Sequence, residues 1–142
     1  TAEIYSAFLS DDKLKTFFHG HSYTGNPLAC AAASASLLLL QNASPLIDAL
    51  VQLQSQFFAQ LATHPKIENI RQIGTVVAFE VKTPSTSNYF NQLRDFLYQN
   101  FIARGVILRP LGNTVYVLPP YIITKQQLAK VYNAINEVLD LL

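Results

Sequence analysis

Hydrophobic residues recur every three or four positions in several parts of the chain, which is the spacing of an amphipathic helix. One such stretch covers residues 45–63, and a second falls within residues 87–105, where Gly105 stands in the position of a C-terminal cap. A third begins after Thr124, a residue that favours helix N-termini. A weaker pattern within residues 1–16 predicts a short helix that leads into a loop.

Residues 27–41 predict a helix of a different kind. Asn26 can cap its first amides, and proline at the first helical position loses no hydrogen bond. Its first half consists of small residues, which let another backbone approach closely. Residues 37–40 are four consecutive leucines, so apolar side chains lie on every side of this part of the helix, and we expect them to be buried. We expect Cys30 to be buried as well. Ser44 is expected to cap the helix that follows.

Two regions are rich in β-branched residues, as strands are. Residues 67–81 contain Gly74 near their centre and predict two strands or one bent strand. Residues 106–120, "VILRPLGNTVYVLPP", predict two short strands around the turn "PLGN".

This order of helices and strands predicts an α+β fold with a small, mostly antiparallel sheet. We expect the helices that contain Tyr89 and Leu128 to cover the sheet. The helices that start at Pro27 and Pro45 are expected to tie it to something else, and the small-residue face of the first is interpreted as a contact surface for sequence missing from this chain.

Length and composition fit one compact folding unit, because 50% of the 142 residues are hydrophobic. The net charge is only +1 and no basic run is present, so we expect neither a nucleic-acid nor a membrane partner. A single cysteine allows no disulfide framework, which favours a reducing, cytoplasmic compartment. The chain begins at Thr1 and contains no methionine, which we interpret as a piece of a longer polypeptide.

The loop "GHSYTGN", residues 20–26, gathers hydrogen-bonding groups just before a helix. It is either an ordinary capped turn or a phosphate site built from exposed amides, hydroxyls and the helix start. Metal binding by His19 and His21 lacks a third ligand. A nucleophilic role for Ser22 lacks an elbow motif and an acid to orient the base.

Arg109 stands in the apolar stretch "VILRPLG", where a buried guanidinium would need an anion. It is either a clamp for a ligand carboxylate or a partner of Glu80 or Asp95 in a structural salt bridge. Tyr116 and Tyr121 follow, and each hydroxyl is either buried with a partner or faces water.

Two motifs together resemble the class III pyridoxal-phosphate aminotransferases. The first, "HGHSYTGNPLACAAASASL" at residues 19–37, is typical of the class; the second, "GVILRPLGNTVYVLPPYIIT" at residues 105–124, resembles its biotin-biosynthetic branch. The resemblance covers nearly all of the chain and implies the C-terminal part of a fold type I transferase. Residues 1–43 would end the large domain that binds pyridoxal 5'-phosphate (PLP), and residues 44–142 would form the small C-terminal domain with its connecting helix.

The resemblance also implies roles for individual residues. Ser22 would bind the cofactor phosphate in the partner subunit of a homodimer, and Gly20 would line the substrate pocket. Arg109 would hold the carboxylate of 8-amino-7-oxononanoate, and Tyr116 would help to bind the amino donor S-adenosylmethionine. Ser22 stands where many relatives have Thr, and His21 where some have Pro.

In this family the lysine that forms the Schiff base with PLP precedes the region that corresponds to Thr1. The six lysines of this chain lie in turns, at a strand end or on the last helix, so we expect the chain to be inactive alone. Two alternatives stay open. The chain is a fragment of another class III aminotransferase that uses an amino acid or a diamine, or it is a small binding domain without catalysis.

Overall fold

The computed structural model describes residues 1–20, 25–83 and 93–142. The chain divides into two compact units, Thr1–Leu40 and Gln41–Leu142. This division falls three residues before the predicted one.

The first unit contains two helices and a single 3₁₀ turn among its described residues. Helix α1 spans Ala2–Ala7, the turn spans Lys13–Lys15, and α2 spans Pro27–Leu40. None of the described residues of this unit is buried. The predicted bounds of α2 are confirmed to within a residue.

The expected burial within α2 is wrong for this chain. Leu37, Leu38, Leu39 and Leu40 are between 41% and 77% exposed, and Cys30 is exposed as well. The prediction rested on the apolar character of these side chains, whereas burial also needs a second surface to pack against. A long apolar face is therefore solvent-accessible in this unit.

The second unit is a three-stranded antiparallel sheet with helices. Its elements in chain order are α3 (Ser44–Leu61), β1 (Ile67–Ile73), β2 (Val76–Val81), α4 (Leu93–Ala103), β3 (Thr114–Val117) and α5 (Lys125–Asp140). The strands lie in the order β1-β2-β3. The predicted α+β class and the antiparallel sheet are confirmed.

Alternation along the strands separates a core face from an outer face. Phe79 is fully buried, and so are the other inward residues of β2 and β3, namely Val77, Val81, Val115 and Val117. Phe79, Val81, Val115 and Val117 share one hydrophobic core with Leu97 and Phe101 of α4 and Leu128 and Ile135 of α5. Helix α3 packs against β1, β2 and α5. The prediction that this helix also ties the sheet to something else stays a prediction.

The β1–β2 hairpin turns at Gly74, whose φ of 53° favours glycine. The strand pairing is irregular between Glu68 and Arg71, where Asn69 adopts a φ of 49° and forms a bulge. Arg71 and Glu80 form a salt bridge of 3.3 Å across the two strands.

Helix ends follow the sequence signals in most places. Thr124 and Gln127 form a capping box at the start of α5. Gly105, with a φ of 67°, ends α4 as predicted, and the Val106 amide donates to the Phe101 carbonyl. Ser44 does not cap α3, because it is already the first helical residue and makes no capping hydrogen bond.

Only one arm of the second predicted hairpin is a strand. Residues 106–110, which we call the arginine arm, alternate between buried and exposed positions as a strand does but form no ladder with β3. A single bridge joins Leu111 to Thr114. Pro110 has no amide hydrogen to donate, which is one reason why the ladder does not extend into this arm.

Gln54 of α3 is a buried polar residue that ties three elements together. The hydroxyl of Tyr132 on α5 donates to its Oε1 at 2.5 Å, and its Nε2 donates to the carbonyl of Thr75 in the β1–β2 turn at 2.9 Å. Phe57 stacks on Tyr132 with ring centroids 4.6 Å apart. Burial raises the pKa of Tyr132 above its usual value, because the charged phenolate is poorly solvated there.

No single helix within the described ranges is both long and apolar enough to cross a membrane; α2 and α3 meet that test only as a broken pair.

Replacing Gln54 by leucine should lower the free energy of unfolding by about 2 kcal/mol. The substitution keeps most of the side-chain volume but leaves the Thr75 carbonyl and the Tyr132 hydroxyl without their buried partner. Urea unfolding followed by circular dichroism measures the change. Gln56→Leu is the matched control, since Gln56 is exposed on the same helix; equal losses in both variants would contradict the role of this network.

Tyr132 should make the protein less stable at high pH. Its pKa is raised in the folded state, so above pH ~10 the unfolded chain loses a proton that the folded chain keeps. The stability advantage of the wild type over Tyr132→Phe should therefore shrink above pH ~10 by roughly 1 kcal/mol per pH unit. Urea titrations between pH 8 and pH 11 measure this difference. Tyr121→Phe, at an exposed position, should show no such trend.

Candidate functional site

Residues 21–24, which include the predicted phosphate ligand Ser22, lie outside the described part of the chain, between Gly20 and Gly25. Gly20 is exposed, and a methyl group in place of its hydrogen would meet nothing within 4 Å. Neither its backbone conformation nor crowding by the described residues requires glycine there.

Asn26 satisfies the first free amides of α2. Its side-chain Oδ1 accepts from Leu28 at 2.9 Å and from Ala29 at 3.2 Å. The predicted cap is thus confirmed. These amides are not open to an anion, so a phosphate at this loop would have to use the positive end of the helix together with groups of residues 21–24.

Arg109 is exposed on the arginine arm, between the buried residues Leu108 and Pro110. The premise that its guanidinium is buried is therefore wrong. It forms no salt bridge and no side-chain hydrogen bond with any residue that the structure describes. An exposed guanidinium with all of its donors available can bind a carboxylate in a two-pronged geometry.

The two acids weighed as structural partners of Arg109 bind other arginines. Glu80 pairs with Arg71 at 3.3 Å, and Asp95 pairs with Arg94 at 2.8 Å. Both pairings join residues on or beside their own element. The salt-bridge interpretation of Arg109 is contradicted for these two partners.

A tight turn, residues 111–114, connects the arginine arm to β3. The Leu111 amide donates to the Thr114 carbonyl at 2.8 Å, and the Thr114 amide donates back at 3.0 Å. Gly112 adopts a φ of 64°, and this turn has glycine at its first central position, as the type II′ hairpin turn requires. The chain therefore reverses within two residues.

Tyr116 lies on the outer face of β3, between the buried residues Val115 and Val117. It pairs with Ala78 of β2, which in turn pairs with Arg71 of β1. Its side chain is half-buried, and its hydroxyl makes no hydrogen bond with any described residue. Arg109 and Tyr116 each stand between two buried neighbours, so both side chains point away from the core.

The predicted site residues are thus divided between the two units. Arg109 and Tyr116 lie in the second unit, Gly20 lies in the first, and Ser22 falls outside the described residues. Tyr121, the other tyrosine weighed, is 41% exposed.

All six lysines of the chain fall within the described ranges. Lys66 Nζ donates to the carbonyl of Leu139 at 2.9 Å, and Lys82 Nζ donates to that of Pro65 at 2.8 Å. The other four are exposed, namely Lys13, Lys15, Lys125 and Lys130. None of the six is buried, whereas a lysine that forms a Schiff base with PLP stands in a mostly buried site, so these residues do not fit covalent attachment of PLP.

Two further features bear on the choice of site. A groove of about 440 Å³ lies beside α5, but neither Arg109 nor Tyr116 lines it; its apolar walls are Val106, Leu108, Val117, Ile123 and Val131. The described residues contain no group of three or more side chains able to hold a metal ion, and His21 of the weighed histidine pair lies outside them.

Comparison with known proteins decides the family. The sequence profile of the class III aminotransferases matches residues 1–139. The adenosylmethionine-8-amino-7-oxononanoate aminotransferase of Synechococcus elongatus is 41% identical over 140 residues, which cover 99% of this chain and 33% of that protein. The chain belongs to the class III aminotransferases.

Other class III aminotransferases agree in sequence and in structure. The enzyme of the same name from Helicobacter pylori is 36% identical, over 97% of this chain and 32% of that protein. The crystal structure of that enzyme from Methanocaldococcus jannaschii superimposes with a TM-score of 0.68 at 26% identity, covering 99% of this chain and 34% of that one. A PMP-bound aminotransferase from Vibrio fluvialis gives a TM-score of 0.68 at 27% identity, covering 89% and 29%.

The chain therefore spans about a third of the length of the class III aminotransferases that it matches. The family uses PLP.

Sequence reasoning missed Asn113. It is only 1% exposed, and its side chain donates to the Val81 carbonyl at 2.9 Å. The dipeptide Gly112-Asn113 was used as a turn signal. No sequence signal indicates that the asparagine side chain faces inward, because turn asparagines are usually exposed.

Replacing Arg109 by alanine should change the free energy of unfolding by less than about 0.5 kcal/mol, because the side chain contacts no described partner. Arg104→Ala is the comparison, since Arg104 bonds both Glu137 at 2.8 Å and the Asn100 carbonyl at 3.1 Å. That variant should lose roughly 1 kcal/mol. Urea unfolding measures both; a clear loss in Arg109→Ala would favour a structural role.

Proposed function

We propose that this chain is the C-terminal part of an enzyme that transfers an amino group from S-adenosylmethionine to 8-amino-7-oxononanoate, a step of biotin biosynthesis. The observation that carries the proposal is the 41% identity, over 99% of this chain, to a protein named for that reaction. Relatives of the same name match at 36% and 37% identity. The motif of residues 105–124 supports the same branch of the family.

Arg109 is proposed to hold the substrate carboxylate. Its guanidinium is exposed and has no acidic partner among the described residues, so its full charge is available. A planar fork of donors matches the two oxygens of a carboxylate and favours the acid over neutral analogues. Tyr116, whose side chain also points away from the core, is proposed to contact the amino donor through its hydroxyl and its ring.

Gly20 is proposed to line the substrate pocket, and Ser22 is proposed to bind the cofactor. Gly20 would let substrate approach the backbone closely, and the Ser22 hydroxyl would donate to the phosphate of PLP bound by the partner subunit of a homodimer. PLP itself supplies the electron sink for amino transfer. We further propose that the lysine that anchors PLP lies elsewhere in the full-length, cytoplasmic enzyme and that this chain alone is inactive.

Another class III activity is the second candidate. The Vibrio fluvialis aminotransferase has the same TM-score of 0.68 as the Methanocaldococcus jannaschii enzyme, so the fold alone does not select the amino donor. The choice between them rests on sequence.

The full-length protein, loaded with PLP, should transfer the amino group of S-adenosylmethionine to 8-amino-7-oxononanoate. Arg109→Ala should raise KM for the keto acid by about tenfold or more, because hydrogen bonds to a charged group contribute roughly 1.5–3 kcal/mol. The absorbance of bound PLP should not change. Steady-state kinetics with each substrate varied in turn give these values.

Arg94→Ala is the control, because Arg94 lies on α4 and pairs only with its neighbour Asp95 among the described residues. Transfer from an amino acid or a diamine, with none from S-adenosylmethionine, would establish the second candidate. Equal losses of keto-acid use and PLP binding in Arg109→Ala would contradict the carboxylate role.

A further inference from the structure

The direction of the Arg109 side chain depends on the backbone that carries it. No described residue bonds its guanidinium, so no neighbouring side chain holds it in place. The buried side chains of Leu108 and Pro110 fix the arginine arm on either side. Beyond Pro110 the arm continues directly into the turn of residues 111–114.

That turn is anchored to the sheet by Asn113. The amide of Val81 donates to the Asn113 carbonyl at 2.9 Å, and the Asn113 side-chain Nδ2 donates to the Val81 carbonyl at 2.9 Å. One residue therefore binds both polar backbone groups of the last residue of β2. Asn113 is 1% exposed, so these bonds are shielded from water.

The register explains why an asparagine can do this. The last pair of the β2–β3 ladder is Glu80 with Thr114, so the next pair along the same register would be Val81 with Asn113. The carbonyl of Asn113 makes the bond of a normal ladder pair, and its side-chain amide makes the second one. The ladder is thereby extended by one pair while the backbone turns away toward Gly112.

We propose that Asn113 is a positioning residue for carboxylate recognition: by anchoring the turn to Val81 it fixes where the arginine arm presents Arg109. The inference rests on the proposed function, in which Arg109 holds the substrate carboxylate. Asn113 acts through Arg109 and touches no substrate. Small displacements of such a clamp lower reactivity strongly, because substrate orientation depends on it.

The test uses the full-length enzyme and compares 8-amino-7-oxononanoate with its methyl ester, which carries no negative charge. The measured quantity is the ratio of kcat/KM for the acid to kcat/KM for the ester. Asn113→Leu removes the side-chain donor without adding charge, and it should lower this ratio about tenfold while kcat with the ester stays within about twofold. Adding Asn113→Leu to Arg109→Ala should cause no further fall in the ratio.

Gly112→Ala is a second variant in case Asn113→Leu does not fold. It strains the turn at a φ of 64° but leaves the Asn113 side chain in place, and it should lower the same ratio. Asn133→Leu is the control, because Asn133 is exposed on α5 and should leave the ratio unchanged.

The outcomes separate the two proposals. If acid and ester lose activity equally in both turn variants, or if the ratio does not move, the positioning role of Asn113 is wrong. If Arg109→Ala leaves the acid-to-ester ratio unchanged, the carboxylate role of Arg109 is wrong, and the inference built on it is wrong too.

Discussion

The burial of one face of the sheet is the constraint on which the second unit depends. Side chains alternate along a strand, so fixing Phe79 and Val115 in the core forces their neighbours outward. A shift of the strand register by one residue would bury the charged side chain of Glu80 and expose that of Phe79, which would strongly destabilise the fold. The same rule, applied to β3 and the arginine arm, directs Tyr116 and Arg109 away from the core. The candidate site is thus a consequence of core packing.

Elements with a strong internal period were predictable from sequence, and features that need a partner were not. The apolar spacing of helix α5 and its Thr124 cap are both signals in the sequence of the helix itself, and the structure confirms both. The predicted burial of Leu37 to Leu40 is wrong, because hydrophobicity favours burial but does not show that the described residues supply a surface to cover these side chains. The prediction of a strand for the arginine arm is wrong, because an apolar pattern rich in β-branched residues does not show whether a segment that contains proline pairs with the next strand.

The candidate site was found through its chemistry, although one argument for it was mistaken. Arg109 was singled out because a guanidinium among apolar residues should be buried and in need of an anion. It is exposed, since the alternation that buries Leu108 and Pro110 points the residue between them outward. What remains true is its lack of an acidic partner among the described residues.

The inward-facing amide of Asn113 could not be predicted from sequence, because a turn signal does not say on which side a side chain lies.

β1 is an edge strand of the sheet, and such edges can pair with edges of other molecules. Its bulge at Asn69 interrupts the regular spacing of backbone donors and acceptors, and the ion pair of Arg71 and Glu80 adds charge beside it. A second strand approaching this edge would find neither a continuous row of hydrogen-bonding groups nor a neutral surface. We therefore expect the irregularity to disfavour strand-to-strand aggregation at this edge.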